Sequence, residues 1–249
     1  MLATATSHIQ AQDRATGQTF VIVHGAWGGS WAFRETDRLL TVAGHTVYRP
    51  ALTGLGEKVH LSHPDITLTT HITDVVNQIL WENLRDVVLV GHSYGGMVIT
   101  GVADRIPERI ARLIYLDAAV PNDGESLRDM LPFPAEWELR DGCIVPPWVN
   151  PKQSVPHDVP HPAKTLTEKI ALRNAEKTKA IPSTYVLFVQ PGTDMEKASF
   201  HKFYLRAKER GWTLRTLASD HNPQFNRSDV LANLLDTCVK QEEGEQAKP

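Results

Sequence analysis

Residues 86–97 read Asp86-Val87-Val88-Leu89-Val90-Gly91-His92-Ser93-Tyr94-Gly95-Gly96-Met97. Val87 to Val90 form an apolar run of β-branched and leucine side chains, the pattern of a central strand covered on both faces. The run stops at Gly91-His92-Ser93-Tyr94-Gly95, a G-x-S-x-G, and Gly96 to Arg105 reads as a helix. Strand, five-residue corner and helix form the setting in which this motif holds a nucleophile. The small residues have a mechanical purpose. Ser93 has to occupy a strained turn with its hydroxyl facing out, and Cβ atoms at Gly91 and Gly95 would collide with neighbouring chain. An ordinary β–α turn can also contain glycines and a serine. The flanking strand and helix favour Ser93 as a nucleophile.

Upstream of this corner, Gln18 to Val23 is a short strand of buried type that runs into His24-Gly25-Ala26-Trp27-Gly28-Gly29-Ser30-Trp31. Neither phosphate-binding pattern, G-x-x-x-x-G-K-[ST] or G-x-G-x-x-G, is present. The loop reads instead as pliable backbone that can turn an N–H toward a substrate oxygen. Trp31 to Ala43 carries an imperfect helical stripe ended by Gly44, and Thr46 to Arg49 is a strand closed by Pro50. In the long connection Ala51 to Thr69, His60 and His63 have no partners at metal-ligand spacing and read as loop or surface residues. Thr70 to Trp81 has Ile72, Val75, Val76, Ile79 and Leu80 on one side of a helix.

Downstream, Ala111 to Leu116 is a strand ending in Asp117-Ala118-Ala119-Val120-Pro121. Residues 122–182 then change character, with nine prolines between Pro132 and Pro182 and large apolar groups at Trp137, Cys143 and Trp148. This stretch is too irregular for core strands and too apolar for a linker, and it is read as a cap over the strand ends. Thr184 to Val189 resumes the sheet, followed by the polar turn Gln190 to Asp194, a helix over Ala198 to Arg210 and a last strand, Trp212 to Leu217. Ala218-Ser219-Asp220-His221-Asn222-Pro223 leads to a final helix near Ser228 to Val239, with Ser228 expected as its N-cap. The expected fold is α/β, a mostly parallel sheet of about six strands with flanking helices and an inserted cap. Its core comprises 18–121 and 183–241 and its cap 122–182, and 1–17 and 242–249 are expected to be flexible termini.

The chain has 249 residues, 41% of them hydrophobic and 22% charged, enough for a substantial core. A net charge of −3 without a basic block argues against nucleic acid as a partner. No apolar stretch reaches the roughly 18 residues of a membrane span. The first residues lack the basic and apolar regions of a secretory signal, and Cys143 and Cys238 form no disulfide framework. These features read as a cytoplasmic protein. Neither metal nor cofactor is expected.

His24-Gly25-Ala26-Trp27-Gly28-Gly29-Ser30-Trp31, Gly91-His92-Ser93-Tyr94-Gly95-Gly96, the Tyr115-to-Pro121 stretch and Asp220-His221-Asn222-Pro223 together carry a resemblance. Over about residues 18–240 the chain resembles the α/β-hydrolase branch of plant methylesterases, hydroxynitrile lyases and related bacterial carboxylesterases. The resemblance implies that Ser93 is assisted by a later acid and a still later histidine, and His221 stands where that base belongs. It also implies an oxyanion hole from the N–H groups of Ala26 and Tyr94. Asp117 and Asp194 both follow strands of a parallel sheet, so either could reach His221. The plant pattern favours Asp194 but aligns only with a gap. The bacterial pattern around Tyr115-Leu116-Asp117-Ala118 favours Asp117, which is preferred. Asp220 reads as a turn aspartate.

Trp27, with Trp137 and Trp148 of the inserted segment, is expected to wall the substrate pocket. The lyases of the branch have a threonine where this chain has Gly25 and a cyanide-binding lysine where it has Asn222, so lyase chemistry is disfavoured. A dehalogenase is excluded by Ser93, because that reaction needs a carboxylate nucleophile. The expected activity is hydrolysis of small to medium apolar carboxylic esters through an acyl-enzyme. A lactonase or related hydrolase, or a slowly hydrolysing ligand receptor, remains as the alternative. The expected partner is a small ester, with neither nucleic acid nor membrane involved, and homodimerisation is left open.

Overall fold

The computed structural model describes residues 17–134 and 136–246, with side chains as far as 240. Strand β1 (Thr19–Val23) leads through the glycine-rich loop to helix α1 (Arg34–Val42) and strand β2 (Thr46–Tyr48). Helix α2 (Leu68–Trp81), strand β3 (Val87–His92), helix α3 (Gly95–Arg105) and strand β4 (Ile110–Leu116) follow. Next come α4 (Leu127–Met130), three short strands, β5 (Glu138–Arg140), β6 (Cys143–Val145) and β7 (His161–Pro162), and helices α5 (Ala163–Thr167) and α6 (Ala175–Lys179). Strand β8 (Ser183–Val189), helix α7 (His201–Glu209), strand β9 (Thr213–Ala218) and helices α8 (Pro223–Asn226) and α9 (Ser228–Gln246) complete the described chain.

Six strands form one parallel sheet in the order β2-β1-β3-β4-β8-β9, the architecture expected from the sequence. Every residue of β3 is buried, because alternating side chains feed two cores. Val87 and Leu89 join Ile72, Val75 and Ile79 of α2 and the apolar residues of α3 on one face. Val88 and Val90 join Leu40 of α1 and Leu231 and Leu235 of α9 on the other. Complete burial of such a side chain contributes about 1.5–3 kcal/mol, so β3 is the strand least able to tolerate a polar substitution. With both faces covered, the crevice outside the C-terminal strand ends is the place left for a ligand.

Residues 122–182 carry a small antiparallel sheet, β5-β6-β7, beside short helices. They join the apolar core on one face of the main sheet and are tied by hydrogen bonds to the helices flanking it. Buried Asp104 at the end of α3 accepts from the N–H groups of Arg173, at 2.9 Å, and Asn174, at 2.7 Å. Arg206 of α7 donates to both carboxylate oxygens of Glu125.

One expectation at the C-terminus needs correction. Ser228 is the first helical residue of α9, not its cap: its hydroxyl donates back to the Gln224 carbonyl at 2.7 Å, because α8 supplies an acceptor one turn earlier. The helix runs on through 242–246. Of the expected flexible termini, residues 1–16 and 247–249 lie outside the described residues. Among the described residues no helix is long and apolar enough to cross a membrane.

Candidate active site

The corner between β3 and α3 places Ser93 at φ 55°, a left-handed conformation that costs a side-chain-bearing residue about 1–3 kcal/mol. Close approach of neighbouring backbone explains the surrounding glycines. A Cβ at Gly91 would lie 2.7 Å from the Gly95 carbonyl oxygen, and one at Gly95 would lie 2.6 Å from that of Val23. Gly96 is tighter still, at 2.1 Å from Ala119 O. The corner is also fastened to the end of β4. Ser93 N–H donates to Leu116 O at 3.2 Å, and Ser93 O accepts from Ala119 N at 3.0 Å.

Asp117 follows β4 directly, at φ 42°, and is nearly inaccessible to solvent. Its Oδ1 accepts from Phe188 N at 3.2 Å, and its Oδ2 lies 2.6 Å from His221 Nδ1. Asp194 is on the surface, paired with Lys197 at 2.9 Å, and does not reach the histidine. Asp220 accepts from Asn222 N and Asn226 Nδ2 and closes its own turn. His221 is held from two further directions. The buried His92 donates its Nε2–H to the His221 carbonyl at 2.8 Å, and the Phe200 ring stacks on the imidazole with centroids 4.9 Å apart. Burial, reinforced by the neighbouring His221, pushes His92 well below the ordinary imidazole range and keeps it neutral. Of these supports, His92 was read only as part of the corner, and the structure extends β3 to include it. Phe200 carried no signal in the sequence.

The loop after β1 brings Ala26 beside Ser93. Among the described residues the N–H groups of Ala26 and Tyr94 are not used in other hydrogen bonds, and both residues line the same cavity as Ser93 and His221. The next residue, Trp27, adopts φ 64° and is tied to the inserted segment three times. Its N–H donates to His161 Nδ1 at 3.1 Å, its carbonyl accepts from Val159 N at 2.9 Å, and its indole N–H donates to Ile144 O at 3.1 Å. Since Trp27 N–H can only donate, the proton of His161 sits on Nε2 and points to Thr165 Oγ1, 2.6 Å away. Thr165 in turn donates to Pro162 O.

Behind this contact, His71 Nε2–H donates to Thr53 O and leaves Nδ1 to accept the Tyr94 hydroxyl proton at 2.9 Å. Burial pushes His71 down to about 3 and lowers His24 and His161 as well. The roles of His71 and His161 were not read from the sequence, where neither belongs to a motif.

A cavity of about 490 Å³ opens above Ser93 and His221. Trp27, Trp137 and Trp148 all line it and meet edge to face with centroids 5.1–5.6 Å apart. Phe133, stacked on Trp137, extends this wall, and Asp158 adds a carboxylate to it. His60 and His63 lie away from the cavity, and His63 is an exposed neighbour of Asp65. Among the described residues, no group of three or more His, Cys, Asp or Glu side chains is arranged to hold a metal ion.

The chain is similar to several known proteins. Over 113 residues it is 58% identical to the carbendazim hydrolyzing esterase of Nocardioides sp. (strain SG-4G), covering 45% of this chain and 47% of that one. Over 111 residues it is 32% identical to methylesterase 2 of Arabidopsis thaliana, covering 44% of this chain and 42% of the relative. It thus spans less than half the length of these curated relatives. Among solved structures it resembles an extracellular alpha/beta-hydrolase from a Paenibacillus species, described as homologous to tobacco salicylic acid binding protein 2. That likeness has a TM-score of 0.73 and 27% identity, over 88% of this chain and 97% of the other. The model of the Alpha/beta hydrolase family matches residues 20–234, a span that takes in the main sheet, the Ser93 corner and His221. The chain belongs to the alpha/beta hydrolase family.

Proposed function

We propose that the protein is a serine carboxylesterase acting on small to medium apolar esters. The observation that carries this reading is the 2.6 Å pairing of buried Asp117 Oδ2 with Nδ1 of His221, which lines one cavity with Ser93, Ala26 and Tyr94, the last two with uncommitted backbone N–H groups. Asp117 holds the proton of His221 on Nδ1 and leaves Nε2 as the base. Ser93 Oγ passes its proton to Nε2 and bonds to the ester carbonyl carbon. The carbonyl oxygen takes up the displaced electron pair and is held by Ala26 and Tyr94 N–H. As the tetrahedral species collapses, the bond to the alcohol oxygen breaks and His221 returns the proton to it. Water repeats the sequence on the acyl-enzyme and frees Ser93.

The cavity volume lies within the range usual for small-molecule sites, and its aromatic wall suits an apolar group. The likeness to a carbendazim hydrolyzing esterase and to a plant methylesterase also supports ester cleavage. Lyase chemistry fits less well. A Cβ at Gly25 would sit 3.1 Å from both His92 Nδ1 and Ser93 Cβ, so a threonine there would press on the corner itself. Asn222 lines the cavity without a positive charge for a cyanide leaving group.

Ser93→Ala is the direct test. It should lower kcat for a chromogenic acyl ester by about 10⁴ to 10⁶ and abolish labelling by a fluorophosphonate. The wild-type enzyme should show a stoichiometric burst. A Ser93→Ala variant with a tenth of the wild-type rate would end the assignment, and the absence of a burst and of labelling in the wild type would favour a ligand receptor.

A further inference from the structure

The cavity wall opposite the strand ends is apolar except at one point. Asp158 lies among Trp27, Trp137, Trp148 and Phe133, and it is the only carboxylate among the lining residues. Its Oδ2 accepts the Trp148 indole N–H at 3.2 Å, and its Oδ1 has no hydrogen-bond partner among the described residues. That free oxygen is 3.8 Å from where a Cβ of Gly28 would stand, so it adjoins the loop that carries Ala26 and Trp27. The lining contains no lysine or arginine, and among the described residues Asp158 forms no ion pair. His157, whose Nδ1 bonds the Asp158 carbonyl, is the neighbouring titratable group. Burial lifts the Asp158 carboxyl above the ordinary carboxylate range, against the opposite pull of Trp148 and His157. At this half-buried acid a ligand donor would replace water at Oδ1 and make a charge-assisted hydrogen bond. Flat faces surrounding it favour an aromatic or cationic group.

We infer that Asp158 is a specificity-determining residue for the ester hydrolysis proposed above, and that the preferred substrate is an aromatic ester carrying an N–H donor, neutral or protonated, directed at Oδ1. The ring lies against the Trp27–Trp137–Trp148 wall while the ester carbonyl reaches Ser93. Trp148 holds one oxygen of the carboxylate in place, and the other is free for the substrate. Nitrogen-free esters of the same shape fill the same space but leave Oδ1 without a partner, and the site discriminates against them for that reason.

Matched substrates test this: the methyl esters of 3- and 4-aminophenylacetic acid, each against its methyl-substituted isostere. For the wild-type enzyme, kcat/KM should favour the amino ester at the better position by about tenfold or more, the scale of one charge-assisted hydrogen bond. In Asp158→Asn, which keeps an acceptor for Trp148 but loses the charge, that ratio should fall to within about threefold of unity. Because the readout is a ratio, a general loss of activity in the variant cancels. Equal rates in the wild type at both positions, or a preference that survives in Asp158→Asn, would overturn the inference. A second arm does not depend on turnover: calorimetry on wild type and Asp158→Asn with the same pairs carrying CH₂ in place of the bridging ester oxygen. If neither ester is hydrolysed but the amino ketone binds more tightly to the wild type alone, the esterase reading fails and the Asp158 subsite stands. Equal binding of the two ketones to the wild type removes the subsite as well.

Discussion

The two walls of the cavity are built on different plans. The wall formed by the strand ends is made of backbone: Ser93 and Asp117 are held in left-handed conformations, and glycines at 91, 95 and 96 let chain segments approach within contact distance. Its residues are close neighbours in register, β3 beside β4 beside β8. The wall formed by residues 122–182 is held to the rest by contacts across long sequence separations, such as His161 to Trp27 and Ile144 to Trp27. In the function proposed above, the first wall would position the nucleophile and its partners and the second would select what lies over them; through Trp27 the second is also tied to the loop that carries Ala26.

Breaking the strand-end wall should have the larger effect. Asp117→Asn preserves shape but removes the acceptor that holds the His221 proton on Nδ1, and kcat should drop by about 10³ to 10⁴. Steady-state rates in a variant with unchanged circular dichroism decide this. A loss below about tenfold would mean that the 2.6 Å contact does not orient the base.

Breaking the brace between the two walls should cost less. His161→Ala removes the acceptor for Trp27 N–H, and kcat should fall by about 10- to 100-fold, less than the loss of an oxyanion donor itself, with KM changed by under about threefold. His161→Gln offers a carbonyl oxygen in place of Nδ1 and should restore part of the rate. A KM rise with unaltered kcat, or no rescue by Gln, would reduce His161 to a packing residue.

The seam between the walls also predicts a pH dependence of stability. His24, His71, His92 and His161 are all buried with lowered proton affinity, so below the unfolded value the unfolded chain binds more protons than the native one. For His71 the window runs from 6.5 down to about 3. Stability that is complete above it should be lost as pH falls, with a slope approaching about 1.4 kcal/mol per pH unit for this group. Urea unfolding of wild type and His71→Gln between pH 7 and 5 measures the contribution. Identical slopes would show that His71 does not remain neutral.

The smallest effect should come from Asp194→Asn. Its carboxylate is exposed and paired only with Lys197, so kcat should change by less than about tenfold. A loss comparable to that of Asp117→Asn, measured on the same ester, would return Asp194 to the site.

The contrast between the walls explains how much of the site was legible. Ser93 stood out as a candidate because the apolar run of β3 and the helix after it frame its corner, whereas His221 and the preference for Asp117 over Asp194 came from the family resemblance, since both aspartates follow strands. His92 was within reach of the same reasoning, as a side chain at the buried end of β3. Phe200, which precedes α7 outside any motif, was not, and neither were His161 and Asp158. The proline-rich stretch 122–182 has neither the period of a helix nor that of a long strand to tell which side chains turn inward. Ser228 shows the limit for local rules: serine ahead of an apolar helix is a good cap, yet a turn of helix just before it made a backbone carbonyl the nearer partner.

By itself the sequence determined the order of strands and helices outside residues 122–182, the parallel sheet and the strained corner at Ser93. These follow from side-chain period, glycine sterics and the right-handed crossover connections that parallel strands require, all of which act over short stretches of chain. Only the tertiary structure decided which aspartate meets His221, which histidine holds Trp27, and that a lone carboxylate faces the cavity. Those depend on distances between residues far apart in the chain, such as the 104 positions separating Asp117 from His221, and short-range pattern carries no measure of such distances.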